Sequence, residues 1–296
     1  MMSKNWAYLM LAGCALFWSG NFVIGRAFSS DIQPITISYL RWTTALIVIL
    51  PFTIKSMISQ STIIKDNLLI LIFMGAFGVA GFNTFAYLGL NQTTATNALL
   101  INSFIPILII LLSRIMPGTP ITVAKLVGIL ISTSGVLLLV SRGEIDNLLT
   151  FKINQGDLWV LLAALVWAIY SISLRWRPKG LSAPVFLSFT MIIGVLFLSP
   201  LYWFNLLGEP SFVVSTENVV AIAYVALFAS IGAFLFWNQG VKIVGAGTAG
   251  QFIHLMPVFG TIMAIVFLDE RLFWFHVAGA LLIGSGIYLS LKNPRK

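Results

Sequence analysis

Charged residues are scarce in this chain, and so are the residues that build most enzyme active sites. Only 9% of the 296 residues are charged, and there are two histidines and one cysteine. Soluble domains carry about 25% charged residues, so a soluble fold is excluded. The lone Cys14 excludes an intrachain disulfide. The sequence has no H-E-x-x-H motif, no phosphate-cradling loop and no paired carboxylates at catalytic spacing, which argues against an enzyme and predicts no cofactor and no metal.

The chain consists largely of long apolar runs with few charged residues. Hydrophobic residues make up 59% of the chain, and the mean hydropathy is +0.99. A helix needs about 20 residues to cross a bilayer, and the chain divides into ten segments of about that length, called spans one to ten below. The first run exceeds the core of a signal peptide, about 7–15 residues, so we expect it to stay in the mature protein. The predicted spans are 5–28, 34–57, 67–90, 94–115, 120–141, 157–177, 182–206, 217–241, 246–268 and 272–292.

Basic residues outnumber acidic ones, 17 to 9, but they are scattered between the apolar runs. Because they form no basic face, we expect no binding to nucleic acid. With the N-terminus in the cytoplasm, twelve basic residues lie at cytoplasmic ends, four lie opposite, and Arg41 lies within a span. This distribution obeys the positive-inside rule. It predicts a multi-pass protein of the cytoplasmic (inner) membrane with both termini in the cytoplasm.

The two halves of the chain resemble each other. The segment ALFWSGNFVIGR (15–26) aligns with ALVWAIYSISLR (164–175). Each half contains five spans, an odd number, so the second half enters the membrane from the opposite side. We therefore predict an all-α transmembrane fold of ten helices in two inverted five-helix repeats, 1–142 and 150–292, a design typical of secondary transporters. Five residues also recur 151 positions later, namely Gly89, Ala95, Pro106, Gly128 and Gly135.

Several short motifs accompany this layout. They are the ALFWSGNF start, LRW at Leu40–Trp42, a central proline in spans four and nine, LDER at 268–271 and the GALLIGSGIYL ending. Together they resemble the EamA-type members of the drug/metabolite transporter (DMT) superfamily over essentially the whole chain. The resemblance implies export of a small organic solute. One departure is that residues 118–120 read Gly-Thr-Pro where 269–271 read Asp-Glu-Arg, so that group has no symmetric role.

Polar and aromatic side chains in mid-span predict a central pocket. Trp18 and Asn21 are three residues apart and share a helix face, and the second half places Trp167 and Tyr170 at the matching positions. Such residues either line a pocket or pack helices together through a hydrogen bond. The predicted substrate-binding residues are Trp18, Asn21, Asn83, Tyr87, Asn102, Ser103, Trp167, Tyr170, Trp237, Asn238, Gln251 and His254.

Other residues are candidates for coupling or gating. An imidazole changes its charge near neutral pH, so His254 is a candidate to relay protons or bind substrate, or it bridges two helices by a neutral hydrogen bond. A proline bends its helix and frees a carbonyl, which produces a hinge, a cavity-lining acceptor or a packing kink. The predicted coupling or gating residues are His254, Pro106, Pro257, Arg41 and Glu270.

Arg41 lies about two turns inside span two. It is able to pair with a substrate carboxylate, to extend outward to the lipid headgroups, or to form an ion pair with Asp269 or Glu270, and we favour the last two. The glycines of spans five and ten indicate a scaffold or a dimer surface, and those at 75–81 indicate close helix approach. Tryptophans near span ends are expected in the interfacial belts: Trp6, Trp42, Trp159, Trp176, Trp203 and Trp274.

The sequence as a whole predicts an exporter that works by alternating access, with a pocket lined by spans one, three, four, six, eight and nine. No acid lies deep in a span, so a zwitterionic or amphipathic metabolite such as an amino acid fits better than a strongly cationic one. The predicted partners are this small molecule, membrane lipid and, as a candidate coupling ion, the proton. The protein is expected as a monomer or homodimer, and a facilitative channel is the alternative function.

Overall fold

A computed structural model describes residues 3–27, 32–115, 122–144, 146, 154–206, 214–268 and 271–291. These residues are almost entirely helical, and nine of the helical segments they form are long and apolar enough to cross a membrane. This architecture confirms the all-α transmembrane fold. The helical segments are Lys4–Ala27, Pro34–Ser59, Leu68–Gln92, 95–115, Val123–Val140, Gln155–Trp176, Ala183–Leu206, Thr216–Val244, 246–268 and Trp274–Leu291, and a short helix, Ser61–Asp66, joins spans two and three.

Helix capping sets the boundaries more sharply than hydropathy does. Span six begins at Gln155, before the predicted residue 157, because Asn154 and Asp157 form a capping box. The Asp157 backbone N–H donates to Asn154 Oδ1 (3.0 Å), and the Asn154 N–H donates to Asp157 Oδ2 (2.9 Å). Span five begins at Val123 instead of 120, where the Thr122 hydroxyl accepts from the Lys125 N–H. A local polar cap thus overrides the apolar pattern by two or three residues.

Spans three and eight each contain a π-helical segment, which the sequence did not predict. The segments are Gly75–Gly81 and Val225–Gly232, and they occupy matching places in the two halves. The predicted close approach at 75–81 is confirmed, since a Cβ on Gly75 would lie 2.6 Å from Ile193 Cβ of span seven. A π segment leaves backbone groups out of the regular ladder and is common at functional sites.

Spans four and nine are both interrupted just before their central prolines. A proline lacks the N–H that would bond the carbonyl four residues earlier, so the helix loosens there. The two spans cross at this point, because a Cβ on Gly250 would lie 3.5 Å from Pro106 Cα. The pieces are Ala95–Asn102 and Ile105–Ile115 in span four, and Ala246–Ala249, the 3-10 turn Gly250–His254 and Leu255–Leu268 in span nine.

Spans five and ten pack against each other through their glycines. A Cβ on Gly135 would lie 2.7 Å from the Gly279 carbonyl oxygen, and one on Gly279 would lie 3.0 Å from the Gly135 oxygen. Gly128 faces Gly286 in the same reciprocal way. In each pair, a glycine of one half lies against the backbone of a glycine in the other half, as expected of an inverted repeat. The glycine faces therefore form an internal scaffold, because the chain itself covers them.

Candidate substrate pathway

The centre of the bundle is closed around a very small cavity. Its volume is about 10 Å³, room for a single water molecule. Five predicted substrate-binding residues line it: Trp18, Asn21, Asn83, Asn102 and Trp167. The other lining side chains are apolar and come from spans one, three, four and nine, namely Phe22, Phe82, Ile105, Ile253 and Met256.

Arg41 ties four spans together beside this cavity. Its side chain is fully buried, and its Nη1 donates to Asn21 Oδ1 (3.0 Å), Asn83 Oδ1 (2.8 Å) and the Tyr87 hydroxyl (2.8 Å). Its Nε donates to Ser230 Oγ at 2.7 Å, in the π segment of span eight. The four acceptors are neutral, and Nη2 has no hydrogen-bond partner in the described part of the chain.

The expected outward extension of Arg41 to the headgroups is therefore wrong. Neighbouring helices supply four oxygen acceptors inside the bundle, so the guanidinium turns inward and exposes none of its surface. The alternative ion pair involves Asp269 or Glu270, which lie outside the described residues. Trp42 departs from expectation in the same way, because it is buried and not interfacial. Its ring lies 5.1 Å from the Arg41 guanidinium carbon and packs edge-on against Phe234.

The two halves build the same tyrosine–asparagine hydrogen bond. Tyr87 donates to Asn21 Oδ1 at 2.8 Å, and Tyr170 donates to Asn238 Oδ1 at 2.7 Å. Asn21 in span one corresponds to Tyr170 in span six, so the donor and acceptor have exchanged spans between the repeats. We call Tyr87–Asn21 the far pair and Tyr170–Asn238 the vestibule pair. The vestibule pair lies next to the open end of the bundle, and the far pair lies towards the opposite end.

Aromatic rings separate the two pairs. The repeat-related Trp18 and Trp167 meet edge to face with centroids 5.0 Å apart, and Trp237 lies 5.3 Å from Trp18 and 5.4 Å from Trp167. Trp18 Nε1 donates to the Ala229 carbonyl at 3.1 Å. Trp237 Nε1 has no hydrogen-bond partner among the described residues. The centre is thus an aromatic plug with unused donor capacity.

A larger opening of about 510 Å³ lies on one face of the protein. It is lined by the ends of spans four, six and eight, the link between spans six and seven, and the start of span nine. Because ten spans alternate in direction, this face also carries the start of span one and the end of span ten, and we call it the terminal face. The opening is called the vestibule. It is lined by four basic residues, and of the lining residues described, none is acidic: Arg175, Arg177, Lys179 and Lys242.

Arg177 is held at the mouth of the vestibule. Its Nη2 donates to the Leu181 carbonyl at 3.0 Å, and its guanidinium carbon lies 4.9 Å from the Phe186 ring centroid. Burial lowers the pKa of Arg177 from its usual value, yet a guanidinium stays charged at neutral pH. The vestibule leads inward to Ser171, the neighbour of Tyr170 in the vestibule pair.

The opposite, far face is fastened by polar contacts around Asp157. The Thr93 hydroxyl donates to Asp157 Oδ1 at 2.6 Å, and Asn97 Nδ2 donates to the same oxygen at 3.4 Å. Asn154 Nδ2 donates to Thr93 Oγ1 at 3.2 Å. These bonds join the link between spans three and four to the start of span six. The structure is consequently open on the terminal face and closed at its centre.

His254 bridges three helices instead of lining the cavity. Its Nε2 lies 2.8 Å from the Ser103 carbonyl oxygen and its Nδ1 lies 2.6 Å from Ser132 Oγ. A carbonyl only accepts, so Nε2 carries a hydrogen, and the Ser132 hydroxyl is able either to donate to Nδ1 or to accept from it. When it accepts, the hydroxyl turns to the Ile129 carbonyl, 3.0 Å away. These partners are compatible, as hydrogen-bond donors and acceptors, with a neutral or a protonated ring, and Ser103 is the residue that matches His254 in the first half.

Two stretches, residues 5–141 and 154–292, each match the EamA-like transporter family. The chain belongs to this family. YyaM, an uncharacterized transporter of Bacillus subtilis, is 30% identical over 285 residues, covering 95% of this chain and 92% of the relative. An uncharacterized transporter of Archaeoglobus fulgidus is 26% identical over the full length of both chains. A solved crystal structure at 20% identity covers 98% of this chain and 97% of its own, with a TM-score of 0.77, which supports the fold.

The EamA protein is a membrane transporter, and its remaining predicted residues are spread beyond the cavity. Gln251 is fully buried, and neither of its amide atoms is hydrogen-bonded within the described chain. Pro106 and Pro257 mark the interruptions where spans four and nine cross. Glu270 lies outside the described residues. The cavity therefore unites only part of the predicted set.

Sequence reasoning missed three polar residues of this EamA transporter, two that hold predicted residues and one that fastens the far face. Ser230 accepts from Arg41, Ser132 contacts His254, and Asp157 fastens the far face. Both serines lie in mid-span, where a polar side chain signals a buried hydrogen bond. Asp157 was visible as an acidic residue in the first turn of span six. The partner of each became apparent only once the helices were packed.

Proposed function

We propose that this EamA transporter exports a small organic metabolite, an amino acid or amphipathic compound, across the inner membrane by alternating access. The single observation that carries the proposal is the contrast along the bundle axis. A vestibule of about 510 Å³ opens on the terminal face, and the centre beyond it has room for one water molecule. A carrier needs such an occluding barrier between two alternately open faces.

The internal repeat suggests how the outward-open state forms. The far pair and the vestibule pair form equivalent hydrogen bonds at opposite ends of the aromatic plug. In the outward-open state, the far pair and the Thr93–Asp157 contact separate while the vestibule closes. Spans four and nine, interrupted before Pro106 and Pro257, are positioned to flex as the halves rock.

The composition of the pathway favours a zwitterionic or amphipathic solute. Trp18, Trp167 and Trp237 offer ring faces to an ammonium or an apolar body. Arg41 and the polar amides beside it suit the opposite end of such a molecule. His254 is the proposed proton-coupling residue, because its two bonds are compatible with either charge state.

Transport of a metabolite panel by the full-length protein in proteoliposomes tests the function. We expect uptake of at least one amino acid or amphipathic metabolite to saturate and to accelerate when the same compound is loaded inside. A linear, non-saturating flux without this counterflow would identify a channel instead. A flux that responds to an imposed proton gradient would support coupling through protons.

The proposed orientation is tested separately. Both termini are proposed to lie in the cytoplasm, so alkaline phosphatase fused after Lys296 is expected to be inactive. The same reporter placed in the predicted periplasmic linker, at residue 148, is the positive control. Activity of the C-terminal fusion would refute the orientation and leave the transport proposal to its own test.

A further inference from the structure

We propose that Arg41 binds the carboxylate of the transported solute, with the amide of Asn102 as a second donor. This inference rests on the proposed transport function and specifies which substrate group its site recognises. Arg41 is a fully buried cation whose four hydrogen-bond acceptors are all uncharged. Among the described residues Arg41 has no counter-charge, and burial of an unpaired charge is expensive, so the site as described favours an anion.

Unused hydrogen-bond donors point to the same site. The Nη2 group of Arg41 has no acceptor within the described chain, although its Nη1 and Nε are fully engaged. Asn102 is 3% exposed, and neither its amide nitrogen nor its oxygen has a described partner. A carboxylate presents two oxygens in one plane, which matches a guanidinium edge and a neighbouring amide.

The cavity connects these donors. Asn21, Asn83 and Asn102 all line it, and the oxygens of the first two accept from Arg41 Nη1. The guanidinium therefore lies directly behind the cavity wall. At about 10 Å³ the cavity is closed in this structure, so binding requires the plug to open, as alternating access provides. The neighbouring rings of Trp18 and Trp167 then face the remainder of the solute.

The approach to the site is also selective for negative charge. The vestibule is lined by Arg175, Arg177, Lys179 and Lys242, and its described lining contains no acid. A cleft with one sign of charge raises the local concentration of oppositely charged ligands. The positive-inside rule by itself also explains basic residues at this face. The vestibule is therefore supporting evidence only, and the inference rests on Arg41.

The second half forms the equivalent tyrosine–asparagine bond without a cation. Aligning the prolines at the starts of spans two and seven, Pro34 and Pro184, places Met191 opposite Arg41. Met191 is fully buried, and the vestibule pair forms its hydrogen bond at 2.7 Å with methionine at this position. The tyrosine–asparagine bond of the second half thus forms without an arginine at this position.

The experiment compares acids with their neutral analogues. Each common amino acid and its carboxamide is offered to the full-length protein, with binding followed by quenching of tryptophan fluorescence and transport followed in proteoliposomes. The wild type is expected to bind the acids at least 10-fold more tightly than the amides. Arg41→Gln and Asn102→Ala are each expected to weaken binding of the acid by about 10- to 100-fold and to leave the amide unchanged.

Lys55→Gln is the matched control, since it removes a positive charge from the exposed surface of the same span. It is expected to behave as the wild type. Asn102→Ala breaks no hydrogen bond within the described protein, so it is expected to fold. If Arg41→Gln cannot be purified as a folded protein, acid binding by Asn102→Ala tests the inference by itself.

The outcomes separate this inference from the proposed function. Saturable transport with equal preference for acid and amide, or with acid binding unchanged in both variants, would overturn the role of Arg41 and leave the transporter standing. Absence of saturable transport of any amino acid would count against the proposed function and the inference together. Acid-selective transport lost in both variants would support both.

Discussion

The far pair and the vestibule pair are the same hydrogen bond in two different electrostatic settings. Tyr87 and Asn21 are joined to Arg41, whereas Tyr170 and Asn238 have Met191 at the place that aligns with the arginine. Their hydrogen-bond lengths, 2.8 and 2.7 Å, are nearly equal. The repeat therefore preserves the helix-joining contact and varies the charge, which separates what the scaffold needs from what the site needs.

Transfer of the cation to the second half gives the largest expected effect. Met191→Arg buries a charge where the aligned environment offers no described counter-charge, and we expect about 3–5 kcal/mol of destabilisation. The measurement is the free energy of unfolding in detergent. Met191→Leu, which keeps the apolar character, is the control and is expected to change the stability by less than about 1.5 kcal/mol. Comparable stability of the two variants would show that the second half accommodates a cation. That result would contradict the proposed electrostatic difference between the two halves.

The reverse exchange makes the far pair resemble the vestibule pair. Arg41→Met removes the cation and leaves Asn83 Oδ1 without its donor, while Tyr87 still bonds Asn21. We expect carboxylate transport to fall by about 10- to 100-fold, with a loss of stability below about 3 kcal/mol. Transport at the wild-type rate would break the functional side of the comparison.

His254 and its counterpart Ser103 form a second asymmetry between the halves. His254→Ala removes both helix-bridging hydrogen bonds, which we expect to lower stability by about 1–3 kcal/mol and to abolish or sharply alter efflux. The pH profile of transport distinguishes a coupling role from a structural one. His276→Ala, which alters the other histidine at the start of span ten, is the control. A His254→Ala protein with normal efflux and an unchanged pH profile would rule out coupling.

Removal of the two tyrosine hydroxyls gives the smallest and most direct comparison. Tyr87→Phe loses a bond to Asn21 and one from Arg41, whereas Tyr170→Phe loses the bond to Asn238. Bonds to charged groups contribute about 1.5–3 kcal/mol and neutral ones about 0.5–1.5 kcal/mol, so Tyr87→Phe should be the more destabilising. Thermal unfolding of both variants in one detergent provides the check. An equal loss would indicate that Arg41 adds no strength to the far pair.

Some of these features were determined by the sequence alone. Ten apolar runs and the match of Trp18 with Trp167 were sufficient for the inverted repeat, because hydropathy and internal similarity are written residue by residue. The same matching placed Asn21, Tyr87, Tyr170 and Asn238 among the candidates. Their presence in mid-span, where polar groups must be satisfied within the protein, was enough to select them.

Only the packed helices decided which partner each polar group found. An arginine near a span end is able to reach the headgroups or turn inward, and Arg41 turned inward because Asn21, Asn83, Tyr87 and Ser230 surround it with acceptors. The π segments were equally invisible, since the side-chain pattern does not reveal a shift in backbone hydrogen bonding. Sequence determines which groups enter the membrane, and tertiary structure determines their partners, because those partners lie on other helices.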